Sequence, residues 1–368
     1  MRADPRYASP YFHPRFTLAA GEVAPGAAVT ILHRNGEIAG FLPHQRRGGA
    51  AQPIGAPMND YHGVIVRPGA GMPLDALPAL IGAASLTVNG WVGEGEGEGL
   101  VGRQTLQADL SAGWAAYDAQ QRQTWRKFFR DKDRARRSLE RDRGEVTVRL
   151  GADPADLERL IALKSDQYRR SGRHDIFACG WTADLLKVLL TTREPDFGAT
   201  LAVLEAGGEP VAFEYGLHAG ERYHFWLPAY ETRVARYSPG MLLSLDTMKL
   251  SADRGFKVFD LGFAGEPYKK YFANRDETVL EGAVLQPGFA DAVSAALSMV
   301  GGGAALEAGQ ALARARLGLS VRRRWAAIDA CETTVTGRMR GIAAAASAAI
   351  GRTGAPRAGA GLLMLFSL

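Results

Sequence analysis

Cysteine is scarce in this chain: 368 residues contain only Cys179 and Cys331. They lie far apart in the sequence, so the spacing offers no disulfide framework and suits a reducing, cytoplasmic setting. No uninterrupted apolar run reaches the ~18 residues that a membrane span requires. The first residues, Met1 to Thr17, are polar and proline-bearing, unlike a secretory segment. The seven histidines show no HExxH spacing and no partnership with paired cysteines, so no metal centre is expected. The main body also lacks excess charge. Residues 286–368 hold nine arginines against four acidic residues, which accounts for the whole net charge of +5. The first 285 residues balance at 35 basic and 35 acidic, so a nucleic-acid polymer is not an expected partner of the body.

What is present is apolar content of 46%, enough for two domains with their own cores. A faint repeat supports two related units. Thr30–Phe41 aligns without gaps on Ala202–Phe213, matching Leu32 with Leu204, Gly36 with Gly208, Glu37 with Glu209 and Phe41 with Phe213. Both segments read as hairpins turning on Asn35-Gly36 and Gly207-Gly208. The expected organisation is a first unit over 1–117, a charged helix near 118–143 within a connector to residue 150, a second unit over 151–286, and an Ala/Gly/Arg-rich tail over 287–368. In the second unit, helices are expected near 153–171, 181–193 and 239–254, and strands near 199–205, 210–218, 222–228, 257–262 and 277–285. The tail, helical or partly disordered, suggests helices near 289–299, 304–317 and 320–350, with glycine breaks at 301–303.

The most informative stretch is Arg236-Tyr-Ser-Pro-Gly-Met241 followed by an amphipathic run that Gly255 stops. Ser238 reads as an N-cap and Pro239 suits the first helical position. Gly240 leaves room for a ligand, and a helix start with free N–H groups is a phosphate site. An ordinary capped helix would read the same way. Glu214 sits in an apolar strand, as does Asp260; a carboxylate inside a sheet is costly without a task. Glu214 is the first candidate for general base, with a partly exposed ion pair as the alternative. Asp260 reads as catalytic, or as a group that holds Lys269 or caps a loop. Lys164, Gln167 and Arg170 share one helical face and could line an acceptor cleft, or simply a solvated stripe.

The run Lys164-Ser-Asp-Gln167, then Tyr237-Ser-Pro-Gly-Met241, Phe259-Asp-Leu-Gly262 and Pro267-Tyr-Lys269 resembles the CelD/BcsL-type acetyltransferases, relatives of the FemAB transferases. Tyr11-Phe12-His13-Pro14 and Pro53–Tyr61 also match that pattern. The resemblance implies an α/β fold of two tandem GNAT-like units, each a mixed, mostly antiparallel sheet flanked by helices, with a helical C-terminal extension. It implies acetyl transfer from acetyl-CoA to a saccharide acceptor, such as an amino sugar of cellulose-like, holdfast or other extracellular polysaccharide. Arg236, Ser238, Pro239, Gly240 and Met241 would hold the donor. Tyr268 would protonate the leaving thiolate, and Lys269 would meet a phosphate or sugar carboxylate. The phosphate loop departs from the usual Gln/Arg-x-x-Gly-x-Gly/Ala pattern, because proline at 239 removes one N–H donor.

Arg322-Arg323-Arg324-Trp325 is the sharpest feature of the tail. Arginine forks bind phosphates and guanine edges, and tryptophan offers a stacking plane. Cyclic di-GMP is one ligand of this chemistry; an anionic inner-membrane surface is another. Ordinary surface arginines are the plain alternative. Two rival functions stay open: a FemAB-like aminoacyl transferase using aminoacyl-tRNA, and a catalytically degenerate pair acting as a nucleotide-responsive binding protein.

Overall fold

The computed structural model describes residues 4–67, 70–93, 95, 100–286 and 316–343. One mixed sheet of 13 strands joins both halves of the chain. In chain order the strands are β1 (Ala27–Arg34), β2 (Glu37–Arg47), β3 (Ala50–Pro53), β4 (Ile65–Val66), β5 (Ser85–Trp91), β6 (Val101–Asp109), β7 (Val146–Gly151), β8 (Arg193–Glu194), β9 (Phe197–Ala206), β10 (Glu209–Ala219), β11 (Arg222–Tyr230), β12 (Val258–Phe263) and β13 (Arg275–Leu285). The helices are α1 (Pro14–Val23), α2 (Leu77–Leu80), α3 (Trp114–Thr124), α4 (Arg126–Arg143), α5 (Pro154–Ser171), α6 (Trp181–Thr191), α7 (Pro239–Asp253) and α8 (Arg316–Cys331). The spatial order is β1-β2-β3-β5-β13-β6-β12-β11-β10-β9-β7, with β4 beside β2 and β8 beside β9.

The two hairpins foreseen from the repeat are both present. Asn35 and Gly36 have φ of 53° and 81°, and Gly207 and Gly208 have 62° and 80°. Two successive left-handed residues make the I′ turn that matches strand twist. β13 is the long-range element: it pairs antiparallel with β5 on one side and β6 on the other, which carries the end of the second half into the first.

Alternation along β10 divides the core. Phe213, Tyr215 and Leu217 face α5 and α6, where Leu157, Leu160, Leu185, Leu186 and Leu189 are buried. On the opposite face lie Leu139 of α4 and Leu242, Leu243 and Met248 of α7. Each such buried Leu or Phe contributes roughly 1.5–3 kcal/mol. Gly216 of β10 is dictated by contact, since a Cβ there would stand 2.1 Å from the Tyr223 hydroxyl.

Several local expectations are corrected. The charged helix is two helices, because Trp125 leaves helical geometry (φ −119°, ψ 42°) and packs edge-on against Tyr271 at 5.1 Å. Its charges pair locally, among them Arg122 with Asp118 and Asp133. Ser238 is not a conventional N-cap: it is left-handed at φ 54°, makes no capping bond, and its Oγ accepts from Lys132 Nζ at 2.8 Å. Cys179 and Cys331 are bonded to each other across 152 residues, with Cα atoms 5.8 Å apart, because the tail folds back onto the second half. Tail residues 289–303 and 304–315, where helices and glycine breaks were expected, lie outside the described residues. Within the expected span near 320–350, α8 ends at Cys331 and a second helical stretch covers 335–343.

Candidate active site

The site begins where two parallel strands part. β11 and β12 pair at Arg222↔Val258, Tyr223↔Phe259 and His224↔Asp260, and there the ladder ends. Beyond it β11 continues to Tyr230 alongside β10, while Phe263 of β12 pairs with Thr105 of β6. The facing edge of β11 therefore has no strand partner among the described residues. Unpaired strand edges present N–H and C=O groups to a ligand.

At the last paired rung sits a buried charge cluster. His224 and Asp260 are both fully buried. Asp60, from the loop between β3 and β4, places Oδ2 3.0 Å from His224 Nε2, while Asp260 lies 3.6 Å from His224 Nδ1. Asp260 also accepts from Tyr61 Oη at 2.9 Å, Arg222 Nη1 at 3.0 Å and the Gly262 N–H at 2.8 Å. Backbone geometry holds this arrangement. A Cβ on Gly90 would stand 1.9 Å from the Asp60 carbonyl, and Gly262 (φ 68°) faces Asp60 and His224.

Electrostatics follow from these contacts. Burial alone would push the His224 imidazole down, but hydrogen bonds and charges from Asp260 and Asp60 outweigh it and raise its pKa to about 9. Burial would raise Asp260, yet His224, Arg222 and the Gly262 N–H hold it below the usual carboxylate range. His224 is thus a buried imidazolium between two carboxylates at neutral pH. An unfolded histidine loses its proton near 6.5. The cluster's stabilisation is therefore complete below about pH 6.5 and is lost as pH rises through about 9. The urea midpoint should fall across that interval and fall less steeply in His224→Gln; equal slopes would contradict the charge assignment.

Across the cleft, Lys269 is buried, donating to the Phe263 carbonyl at 3.0 Å and pairing with Glu266 at 2.8 Å. Lys269 is therefore held by Glu266, not by Asp260. Lys164 donates to Gln167 Oε1 at 3.1 Å. Burial lowers the Lys164 amine to about 8, Glu266 opposing and Arg173 and Lys269 adding to the shift. Gln167 and Arg170 line a cleft of about 230 Å³ with Leu163, Ser171, Tyr230 and Thr232. Tyr230 leads to α7, for a Cβ on Gly240 would lie 3.4 Å from its ring. One helical face of α5 thus joins both ends of the site.

At the start of α7, Pro239 has no N–H, and Met241 and Leu242 both donate to the Ser238 carbonyl. Gly240 keeps the free N–H of that turn among the described residues. Arg236 turns to α4, pairing with Asp142 at 3.2 Å and with the Tyr237 hydroxyl. The cation beside the turn is Lys132, an unforeseen residue.

Glu214 lies on the α7 side of β10, fully buried, accepting from Tyr223 Oη at 3.3 Å, with Oε2 lacking a partner. Burial pushes its carboxyl well above the ordinary range, against the hydrogen bond from Tyr223. The folded chain therefore keeps a proton there that the unfolded chain releases above about 4.5, so stability declines as pH rises above that value. Glu214→Gln should raise the thermal midpoint more at pH 8 than at pH 4.5. An equal change at both would contradict a neutral Glu214. Tyr268 follows β12, and burial, with the Glu266 charge adding, keeps its phenol protonated.

This order of elements has a match among known families. Residues 126–270 match the family model of the acetyltransferase (GNAT) domain. The matched stretch contains β7 to β12, and so both edges of the strand divergence, Tyr268, and the start of α7. Asp60 and Tyr61 come from outside it. Over longer spans the chain is similar to FemX, at 12% identity over 78% of this chain and 93% of that one, TM-score 0.47. It is also similar to a tandem GNAT protein from the clavulanic acid biosynthesis pathway, at 11% identity over 77% and 90%, TM-score 0.42. A GCN5-related N-acetyltransferase from Kribbella flavida matches at 12% identity over 74% and 95%, TM-score 0.37. No curated protein matches the chain. The large mixed sheet flanked by helices agrees with the expected fold class.

Asp60 and Tyr61 lie within Pro53–Tyr61, where the sequence assigns neither a role, and nothing in the motifs points to His224. A histidine flanked by Tyr223 and Phe225 in an apolar strand was the available signal.

Proposed function

We propose that this protein is an acetyl-CoA-dependent N-acetyltransferase whose acceptor is the amine of an amino sugar used in extracellular polysaccharide, of the CelD/BcsL or holdfast kind. The observation that carries the reading is the end of the β11–β12 ladder at His224↔Asp260, with the Asp60 carboxylate at that rung. The donor's pantetheine amides would bond the open edge of β11, and its phosphates would meet the Gly240 N–H and Lys132. Ser238, Pro239 and Met241 shape that turn, and Arg236 anchors it to α4.

Asp60 is the proposed general base, in place of Glu214. Its side chain is 27% exposed, so a substrate amine can reach it, whereas Glu214 is sealed and protonated. His224 orients Asp60 through Nε2, 3.0 Å from Oδ2, and Asp260 flanks the other side of the ring. The attacking amine loses its proton to Asp60, the acetyl carbonyl oxygen takes up negative charge, and the N–H groups of the open β11 edge stabilise it. Tyr268, a protonated phenol, donates to the departing thiolate. Lys164, Gln167, Arg170, Lys269 and Glu266 offer a polar, mixed-charge wall suited to sugar hydroxyls.

The same reading places the enzyme in the cytoplasm or peripherally at the inner membrane, with cyclic di-GMP acting through the tail. Arg323 holds Glu281 through Nε, at 2.9 and 3.1 Å, and through Nη2 at 2.8 Å, and Arg324 is half-buried; the side chains of Arg322 and Trp325 lie outside the described residues. A cyclic dinucleotide acting there would compete with Glu281 for Arg323. The test of the function is release of free CoA thiol from acetyl-CoA with nucleotide-linked amino sugars. Turnover that depends on the amine supports the proposal. Equal release with the N-acetylated sugar, or none with any amino sugar, contradicts it.

A further inference from the structure

The return of the tail assembles four metal-ligating side chains that the acetyl-transfer site does not use. Cys179 and His174 lie between α5 and α6; Cys331 ends α8 and Glu332 follows it. Ligand atoms of His174, Cys331 and Glu332 lie within 4.8 Å of one another, and Cys179 is bonded to Cys331. His174 Nε2 is buried without a hydrogen bond and faces Glu332 Oε1 at 3.4 Å. The two side chains are only 11% and 18% exposed. Both sulfurs also face one acceptor, the Ile176 carbonyl, at 3.0 and 3.2 Å.

We propose that the reduced protein binds one zinc ion through Cys179, Cys331, His174 and Glu332. Two thiolates, an imidazole and a carboxylate are a tetrahedral donor set for a borderline-soft cation. Metal–ligand bonds of about 2.0–2.3 Å set ligand atoms roughly 3.3–3.8 Å apart. The His174–Glu332 separation of 3.4 Å already meets this. The sulfurs need to move apart by only about 1.7 Å from a disulfide bond length.

The chemistry balances. A thiol reductant supplies two electrons and two protons, the S–S bond breaks, and two thiols form. Zinc then displaces both thiol protons. The bound ion would pin the end of α8 to the segment before α6. That anchorage reaches the cleft through Arg323 on Glu281, Arg103 on Glu281 at 3.1 Å, and the Arg103 guanidinium 3.5 Å over the Phe263 ring.

The experiment is cobalt titration of the full chain, made metal-free and reduced with a phosphine. The expected result is one Co²⁺ per chain, with a thiolate-to-cobalt charge-transfer band in the near ultraviolet and tetrahedral bands in the visible. Zinc should displace it, and diamide-oxidised protein should give no band. Cys179→Ser should lose most of the charge-transfer intensity. Glu332→Gln, on the partly exposed ligand, should keep the fold and weaken binding by about 10-fold or more. No thiolate band in the reduced wild type, or unchanged titrations in both variants, would overturn the proposal. Neither result depends on acetyl-transfer activity.

Discussion

Asp60→Asn is expected to lower kcat/KM for acetyl transfer by about 10²–10⁴-fold while leaving acetyl-CoA affinity within roughly twofold of wild type. The amide keeps the size of the carboxylate and an oxygen that can accept from His224 Nε2, now 3.0 Å from Asp60 Oδ2. It cannot take a proton from the attacking amine. Raising pH should recover part of the loss, since more of the amine is then already neutral. Steady-state kinetics against pH, together with donor titration, separate this from a folding defect. Activity close to wild type at neutral pH would remove Asp60 from the base role. A parallel loss of donor binding would make it a structural residue.

Gly240→Trp has the second large effect, and it acts on the donor alone. Gly240 holds the free N–H of the first turn of α7, and the space beside it is bounded by the Tyr230 ring. An indole there would fill the approach to that N–H and to Lys132. Acetyl-CoA affinity should fall by about 100-fold or more, on the order of 2.7 kcal/mol. The position is at a helix start and only part-buried, so the thermal midpoint should change little. Unaltered affinity in a folded variant would move the donor away from α7. Glu214→Gln supplies the contrasting case: with its carboxyl sealed and protonated, it should retain most of the wild-type kcat.

The features legible in the sequence were those set by neighbours along the chain. Asn35-Gly36 and Gly207-Gly208 announced their hairpins through local backbone demand. Pro239 and Gly255 bracketed α7 because proline suits a helix start and glycine ends one. Asp260 stood out because an apolar strand does not bury a carboxylate without partners, and the structure supplies four: His224, Arg222, Tyr61 and the Gly262 N–H. Partners from distant segments left no local trace. Asp60 is 164 residues from His224, and no periodicity relates the loop between β3 and β4 to the start of β11. The insertion of β13 between β5 and β6 is equally a matter of long-range pairing, as is the meeting of Cys179 with Cys331. Ser238 misled for a different reason. Its residue type suits an N-cap, but its left-handed backbone points the hydroxyl to Lys132, so propensity yielded to a tertiary contact.

The parted strands β11 and β12, with the start of α7, form the proposed acetyl-CoA site. Calorimetric titration of the wild-type protein with acetyl-CoA tests it most directly. The account predicts saturable binding of one molecule per chain with a micromolar Kd. Absence of binding at millimolar acetyl-CoA, in protein that melts cooperatively, would contradict it.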